Sequence, residues 1–199
     1  MTRQLPADID PQSGFRLPLP KREDLDEAGK RAYDRASTPG KTIVGLRGPS
    51  GIHLYSPHTV EAHNVMNQYL RYQCFDAKTR EVAILAVARE MDSRFEWAAH
   101  EPEALKEGVP QEVIDIIKYR KSTQGLDERF AAIIELGRQI FRDHRVTSEA
   151  FARVKALFPP NKLVELVLLM GNYAATAALL CAFDMQVPDG KPVLPMGDR

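Results

Sequence analysis

The sequence has only two cysteines, Cys74 and Cys181, and they lie far apart. They make neither a CxxC pair nor a disulfide framework, which argues against a stapled secreted scaffold. Neither charge is in excess: Lys plus Arg is 27 and Asp plus Glu is 27. A net charge of zero argues against an electrostatic binder of nucleic acid or of a membrane surface. No zinc-finger or RNA-binding motif occurs, and the glycine-rich stretch 38–56, TPGKTIVGLRGPSGIHLYS, lacks the GxxxxGK[ST] of a phosphate cradle. His53, His58 and His63 are spaced so that they diverge by about 140° per step on a helix, so no metal site is expected. The N-terminal MTRQLPADIDPQSGF has no apolar run after its basic residue. No signal peptide is expected, and a cytoplasmic location is the simplest reading. No segment alternates with period two over a useful length, so strands are not needed.

What is present is helical. Hydrophobic residues are 44% of the chain and charged residues 27%, the balance of a soluble domain with a core. Residues 1–20, with four prolines, read as an extended arm. Residues 21–199 read as one all-α domain of about seven or eight helices. Lys21 to Ser37 reads as a surface helix. Ser56-Pro57 starts the next, with Ser as N-cap and Pro at the first helical position, and it runs to about Arg71. Asp76, Ser93 and Pro110 open three more. Leu126 to His144 and Thr147 to Phe158 are amphipathic. Pro159-Pro160 precedes the apolar run Leu163 to Phe183. Glu165, Gly171, Asn172, Tyr173 and Thr176 make that run a poor membrane span. It reads as a helix buried in a soluble subunit or between subunits.

Three polar groups stand where chemistry is plausible. With Glu81 at zero on a helical wheel, Ile84, Leu85, Ala88 and Met91 fall within roughly 80° of it. A carboxylate at the centre of an apolar face costs several kcal/mol unless paired or protonated. Against that, Glu81 sits early enough in its helix for the dipole to favour it. Glu96 and His100 are one turn apart and share a face, as an acid–base pair would. Ser93-x-x-Glu96 also matches a capping box, and the two readings are compatible. Ala104 and Gly108 continue from His100 at steps of four, so small residues would let another helix approach. Pro102 should kink or end the helix. Glu165, Asn172 and Thr176 form a narrow polar stripe, which either lines a pocket or faces water.

The run REVAILAVA from Arg80, followed by Glu96-Trp97, His100, Ala104 and Gly108, resembles the carboxymuconolactone decarboxylase family, related to alkylhydroperoxidase D-like proteins. Weaker likeness extends to Gly48-Pro49, Ser56-Pro57 and NKLVELVLLMGNYAATAALL. The resemblance implies a fold with a central helical hairpin and a homo-oligomer, commonly a trimer or hexamer. In the peroxidase branch a redox cysteine pair lies between the glutamate and the histidine, at the places held here by Ser93 and Glu96. Without a dithiol the thiolate route cannot run, so the decarboxylase-type branch is the better match. The expected activity is cofactor-free acid–base chemistry on a small carboxylated lactone or related acid. His100 is the expected general acid–base, Glu96 the group that orients or tunes it, and Glu81 a second acid–base group or the partner of His100. Ser93, Trp97, Arg80 and Arg89 are the expected substrate contacts. The alternatives are a peroxidase-like redox protein of the same superfamily and a non-catalytic oligomeric binding protein. No nucleic acid or membrane is expected as a partner.

Overall fold

A computed structural model describes residues 5–195. Among the described residues the regular structure is one 3-10 turn, Arg22–Asp24, and nine α-helices, with no strand. The helices are α1 (Glu27–Ser37), α2 (Pro49–His53), α3 (Pro57–Tyr72), α4 (Ala77–Glu90), α5 (Arg94–Lys106), α6 (Gln111–Lys118), α7 (Glu128–Phe141), α8 (Ser148–Leu157) and α9 (Pro160–Ala182). The all-α expectation holds. The additional helix is α2, five residues inside the glycine-rich stretch, with Pro49 at its first position. Helix α1 starts later than its charge pattern suggested, because Asp26 caps it by accepting from Gly29 N at 2.7 Å. Asp76, Asp127 and Thr147 cap α4, α7 and α8 in the same way.

The chain groups into two compact units, one of residues up to Asn67 with Ala178–Gly190, the other of Gln68–Ala177 with the segment from Lys191. In the first unit the expected extended arm is instead folded from residue 5 on. Asp10 Oδ1 accepts from Gln12 N and Ser13 N, closing a turn that buries Ser13 and Phe15 completely. Gln186 N then donates to Gly14 O at 2.8 Å. The Asp, Pro, Ser and Gly residues of this stretch are turn formers, and a lack of helical period was no sign of a loose chain. Gly51 is required in α2, since a Cβ there would collide with the Leu46 carbonyl oxygen. His53 and His63 do not diverge: they sit on α2 and α3, and their rings stack with centroids 5.4 Å apart.

The second unit is built around α4. Every residue from Thr79 to Arg89 is buried, so α4 is a central helix with no solvent face. The apolar arc read around Glu81 is therefore only part of a helix enclosed on all sides. Val82, Ile84, Leu85 and Val87 pack with Ile133 and Ile134 of α7, Trp97 of α5, and Leu166, Leu169 and Met170 of α9. Gly137 lets α7 close on α4, where a Cβ would stand 3.1 Å from that of Ala86. Helix α5 runs through Pro102 rather than ending there. It ends four residues later at Lys106, and Gly108 follows in the left-handed region at φ 82°, with Val109 N donating to Ala104 O and Gly108 N to Leu105 O. Gly108 is thus the helix terminator, not a small residue on a packing face.

Helix α9 is long and apolar enough to cross a membrane by length and composition, yet only 44% of its most apolar stretch is buried. The inner side carries Leu166, Leu169 and Met170 into the core. The outer side leaves Val164, Val167 and Leu168 exposed.

Candidate active site

The centre of the second unit holds an ion-paired cluster where α4 faces α5. Glu81 and His100 are both buried, and His100 Nδ1 lies 2.7 Å from Glu81 Oε2. Arg80 Nε donates to the other oxygen, Glu81 Oε1, at 2.9 Å. Arg80 Nη1 donates in turn to the Arg71 carbonyl at 3.0 Å, which ties the cluster to the end of α3. Burial pushes the Glu81 carboxyl up, but the hydrogen bonds and charges of His100 and Arg80 outweigh it, and the net shift is downward. Glu81 is therefore an ionised carboxylate, and an ionised acceptor assigns a proton to His100 Nδ1. Nε2, which has no hydrogen-bond partner among the described residues, is left to take or give a proton. The Tyr173 ring meets the His100 ring edge to face, with centroids 5.2 Å apart at 87°. Burial raises the Tyr173 hydroxyl pKa, and it stays neutral within reach of the charges of Arg71, Glu81, Glu96 and Arg80.

Glu96 is a different kind of group. It is 3% exposed, and neither carboxyl oxygen has a hydrogen-bond partner among the described residues. Burial pushes its pKa up to about 8. The Ser93 hydroxyl is the one neighbour that favours the ionised form. It makes no well-formed hydrogen bond, however, and its oxygen is itself buried and unpartnered. The expected capping box is not formed. Ser93 occupies the N-cap position of α5, but its side chain caps nothing, and its N–H donates to Ala88 O at 2.8 Å. Nor does Glu96 orient His100, because Glu81 already holds the ring from the facing helix.

The expected substrate contacts divide. Ser93 stands beside Glu96. Trp97 is fully buried in the core, its indole N–H donates to Glu101, and Lys118 bonds both oxygens of Glu101 at 3.1 Å. Arg80 is committed to Glu81 and to the Arg71 carbonyl. Arg89 lies nine residues further along α4, about 13 Å by helical rise. There it bonds Asp92 and Pro195 O and pins the C-terminal segment. The polar stripe of α9 does not act as one lining. Glu165 bonds Tyr69 Oη and Lys162, while the Thr176 hydroxyl bonds back to the Asn172 carbonyl. Sequence reasoning missed Arg71 and Tyr173. Arg71 ends the helix predicted from Ser56-Pro57, and its only signal was a basic residue near the end of α3. Tyr173 was noted only as one of the residues that make the apolar run a poor membrane span. Cys74 and Cys181 are both free.

Residues 57–136 match the carboxymuconolactone decarboxylase family. That span covers α3 to most of α7, including Glu81, Ser93, Glu96 and His100. No curated protein matches the chain. Among solved structures, the chain is similar to the alkylhydroperoxidase AhpD core, an uncharacterized peroxidase-related protein from Ralstonia eutropha JMP134. The TM-score is 0.71 at 13% identity, covering 88% of this chain and 93% of that one. At that identity the likeness establishes a shared helical fold.

Proposed function

We propose, from the match of residues 57–136 to the carboxymuconolactone decarboxylase family and the likeness in fold to the alkylhydroperoxidase AhpD core, that the chain is a cofactor-free acid–base enzyme. Its substrate in this reading is a small carboxylated lactone or related acid, which it decarboxylates or isomerises by proton transfer. The observation that carries the reading is the buried Glu81–His100 pair at 2.7 Å, with Arg80 on the second carboxylate oxygen. Such a pair fixes one ring nitrogen as donor and leaves the other to handle a substrate proton. In decarboxylation the carbon–carbon bond to the carboxylate breaks and carbon dioxide leaves. The electron pair passes into the enolate of the adjoining carbonyl, and His100 Nε2, having first taken up a proton from water, delivers it to carbon. Arg71, which has no carboxylate partner among the described residues, is the cation best placed for the substrate's charge. A screen of lactone acids and oxo-acids for carbon dioxide release tests the reading. His100→Ala is expected to lower kcat on the responding substrate by about 10²–10⁴, the usual contribution of a positioned acid–base group. Unchanged turnover in that variant would remove His100 from the chemistry.

The same reading takes the protein as a homo-oligomer. Its support is the exposed row Val164, Val167 and Leu168 on α9, an apolar side left open on a single chain. The pair of changes Val164→Glu and Leu168→Glu is expected to lower the mass seen by light scattering to that of one chain. A wild-type protein already of single-chain mass would refute it.

A further inference from the structure

Glu96 has no place in the proton path described above, yet it is the least satisfied buried group of the cluster. Three buried oxygens, Ser93 Oγ and both carboxyl oxygens of Glu96, lack hydrogen-bond partners among the described residues. Ser93 is the N-cap of α5, and Glu96 lies in its first turn, one turn before His100. Tyr173 on α9 lies within reach of the charges of Glu96, Arg71, Glu81 and Arg80, and His100 follows Glu96 by one turn on α5 and bonds Glu81 on α4. Neither cation pairs with Glu96: Arg80 holds Glu81, and no ion pair joins Arg71 to Glu96. A carboxylate left ionised at such a site would be buried without compensation.

We propose that Glu96 and Ser93 form an oxyanion hole beside His100, in which Glu96 is the neutral acid and donates its O–H to the enolate oxygen of the substrate. The inference rests on the acid–base reading and deepens it, because it makes the substrate class a carbonyl compound that passes through an enolate. A carboxylic acid kept neutral by an apolar site is a strong donor to such an oxygen. No proton is transferred at this step. The developing negative charge on the carbonyl oxygen is met by the Glu96 O–H and the Ser93 hydroxyl, while His100 supplies the proton to carbon. Ionised Glu96 would repel the same oxygen, so the hole works only below the Glu96 pKa.

The test uses 4-nitrophenolate as a stable enolate mimic, with binding followed by its absorbance. Only the neutral-acid form binds, and that fraction shrinks as pH rises past about 8. The apparent Kd of the wild type is therefore expected to rise on the order of twentyfold between about pH 7.5 and about pH 9.5. In Glu96→Gln, whose amide donates at every pH, the affinity should be flat over that interval. Should that variant fail to fold, carboxyl ¹³C spectra of glutamate-labelled wild type decide the matter, since the neutral-acid signal must move when the probe is added at neutral pH. A wild type that does not bind the probe, a pH-independent affinity, or the same fall in Glu96→Gln would each overturn the oxyanion hole. The outcomes separate the two readings. Loss of turnover in His100→Ala with pH-independent probe binding removes the oxyanion hole alone. The expected probe profile with full turnover in His100→Ala removes the acid–base reading and keeps the Glu96 donor.

Discussion

Glu81→Gln is expected to lower kcat by about 10²–10⁴ while leaving the protein folded at neutral pH, and Glu81→Ala to cost about 3–5 kcal/mol of stability besides. The catalytic loss follows from the tautomer. Glu81 accepts from His100 Nδ1 at 2.7 Å, so the ring presents Nε2 as the working atom. A glutamine amide can turn its NH₂ to Nδ1, which moves the ring proton to Nε2 and removes the base. The stability loss follows from Arg80. Its side chain is nearly buried, and Glu81 is its only carboxylate partner among the described residues. Removing that partner leaves a cation without compensation in the core. The pH dependence has a definite sign. Glu81 titrates below its ordinary value in the folded state, so its contribution is present above the ordinary carboxylate range and is lost as pH falls through the depressed value. Urea unfolding from acid to neutral pH should therefore show a steeper acid loss for wild type than for Glu81→Gln. Parallel curves would mean that the pair contributes nothing to folding.

Much of the fold was legible because its signals are local. Asp76, Thr147 and Ser56-Pro57 declare helix starts through cap and proline chemistry that needs no tertiary context. The pairing of Glu81 with His100 was legible as one option among several, since spacing alone does not say which carboxylate an imidazole meets. The structure chose the facing helix over the same helix, and Glu96 was left out of the pair. What could not be read was anything set by enclosure. A helical wheel assigns α4 a buried arc, whereas neighbours on every side bury Thr79 to Arg89 together. Trp97 looked like a site residue by its neighbours in sequence and is buried in the core, with its one polar atom satisfied by Glu101. Tyr173 reaches His100 only because the inward side of α9 is laid against the hairpin, and no motif near it announces that. Pro102 misled for a related reason: removing one backbone donor does not end a helix whose remaining turns are held by packing.

Glu96 should make the protein lose stability as pH rises, against the trend that Glu81 sets in acid. Its folded-state pKa is about 8, and an unperturbed glutamate titrates near 4.5. Between those values the folded state binds a proton that the unfolded chain has released, so unfolding free energy falls with pH throughout that window. Below it Glu96 is neutral in both states and costs little. Above it the full cost of an ionised, unpartnered carboxylate is present, on the order of 5 kcal/mol for a shift of this size. Glu96→Gln removes the titration while keeping shape and volume. The difference in unfolding free energy between that variant and wild type should therefore be small in acid, grow through neutral pH and level off in alkali, with the variant the more stable. Urea denaturation at several pH values reads this difference directly, and other titrating groups cancel because both proteins carry them. A difference that stays constant with pH would show that the folded protein ionises Glu96 as easily as the unfolded chain. In the expected case, enclosure of a carboxyl group in the core holds it as an acid at the cost of alkaline stability, and substitution by glutamine recovers that stability by giving up the acid.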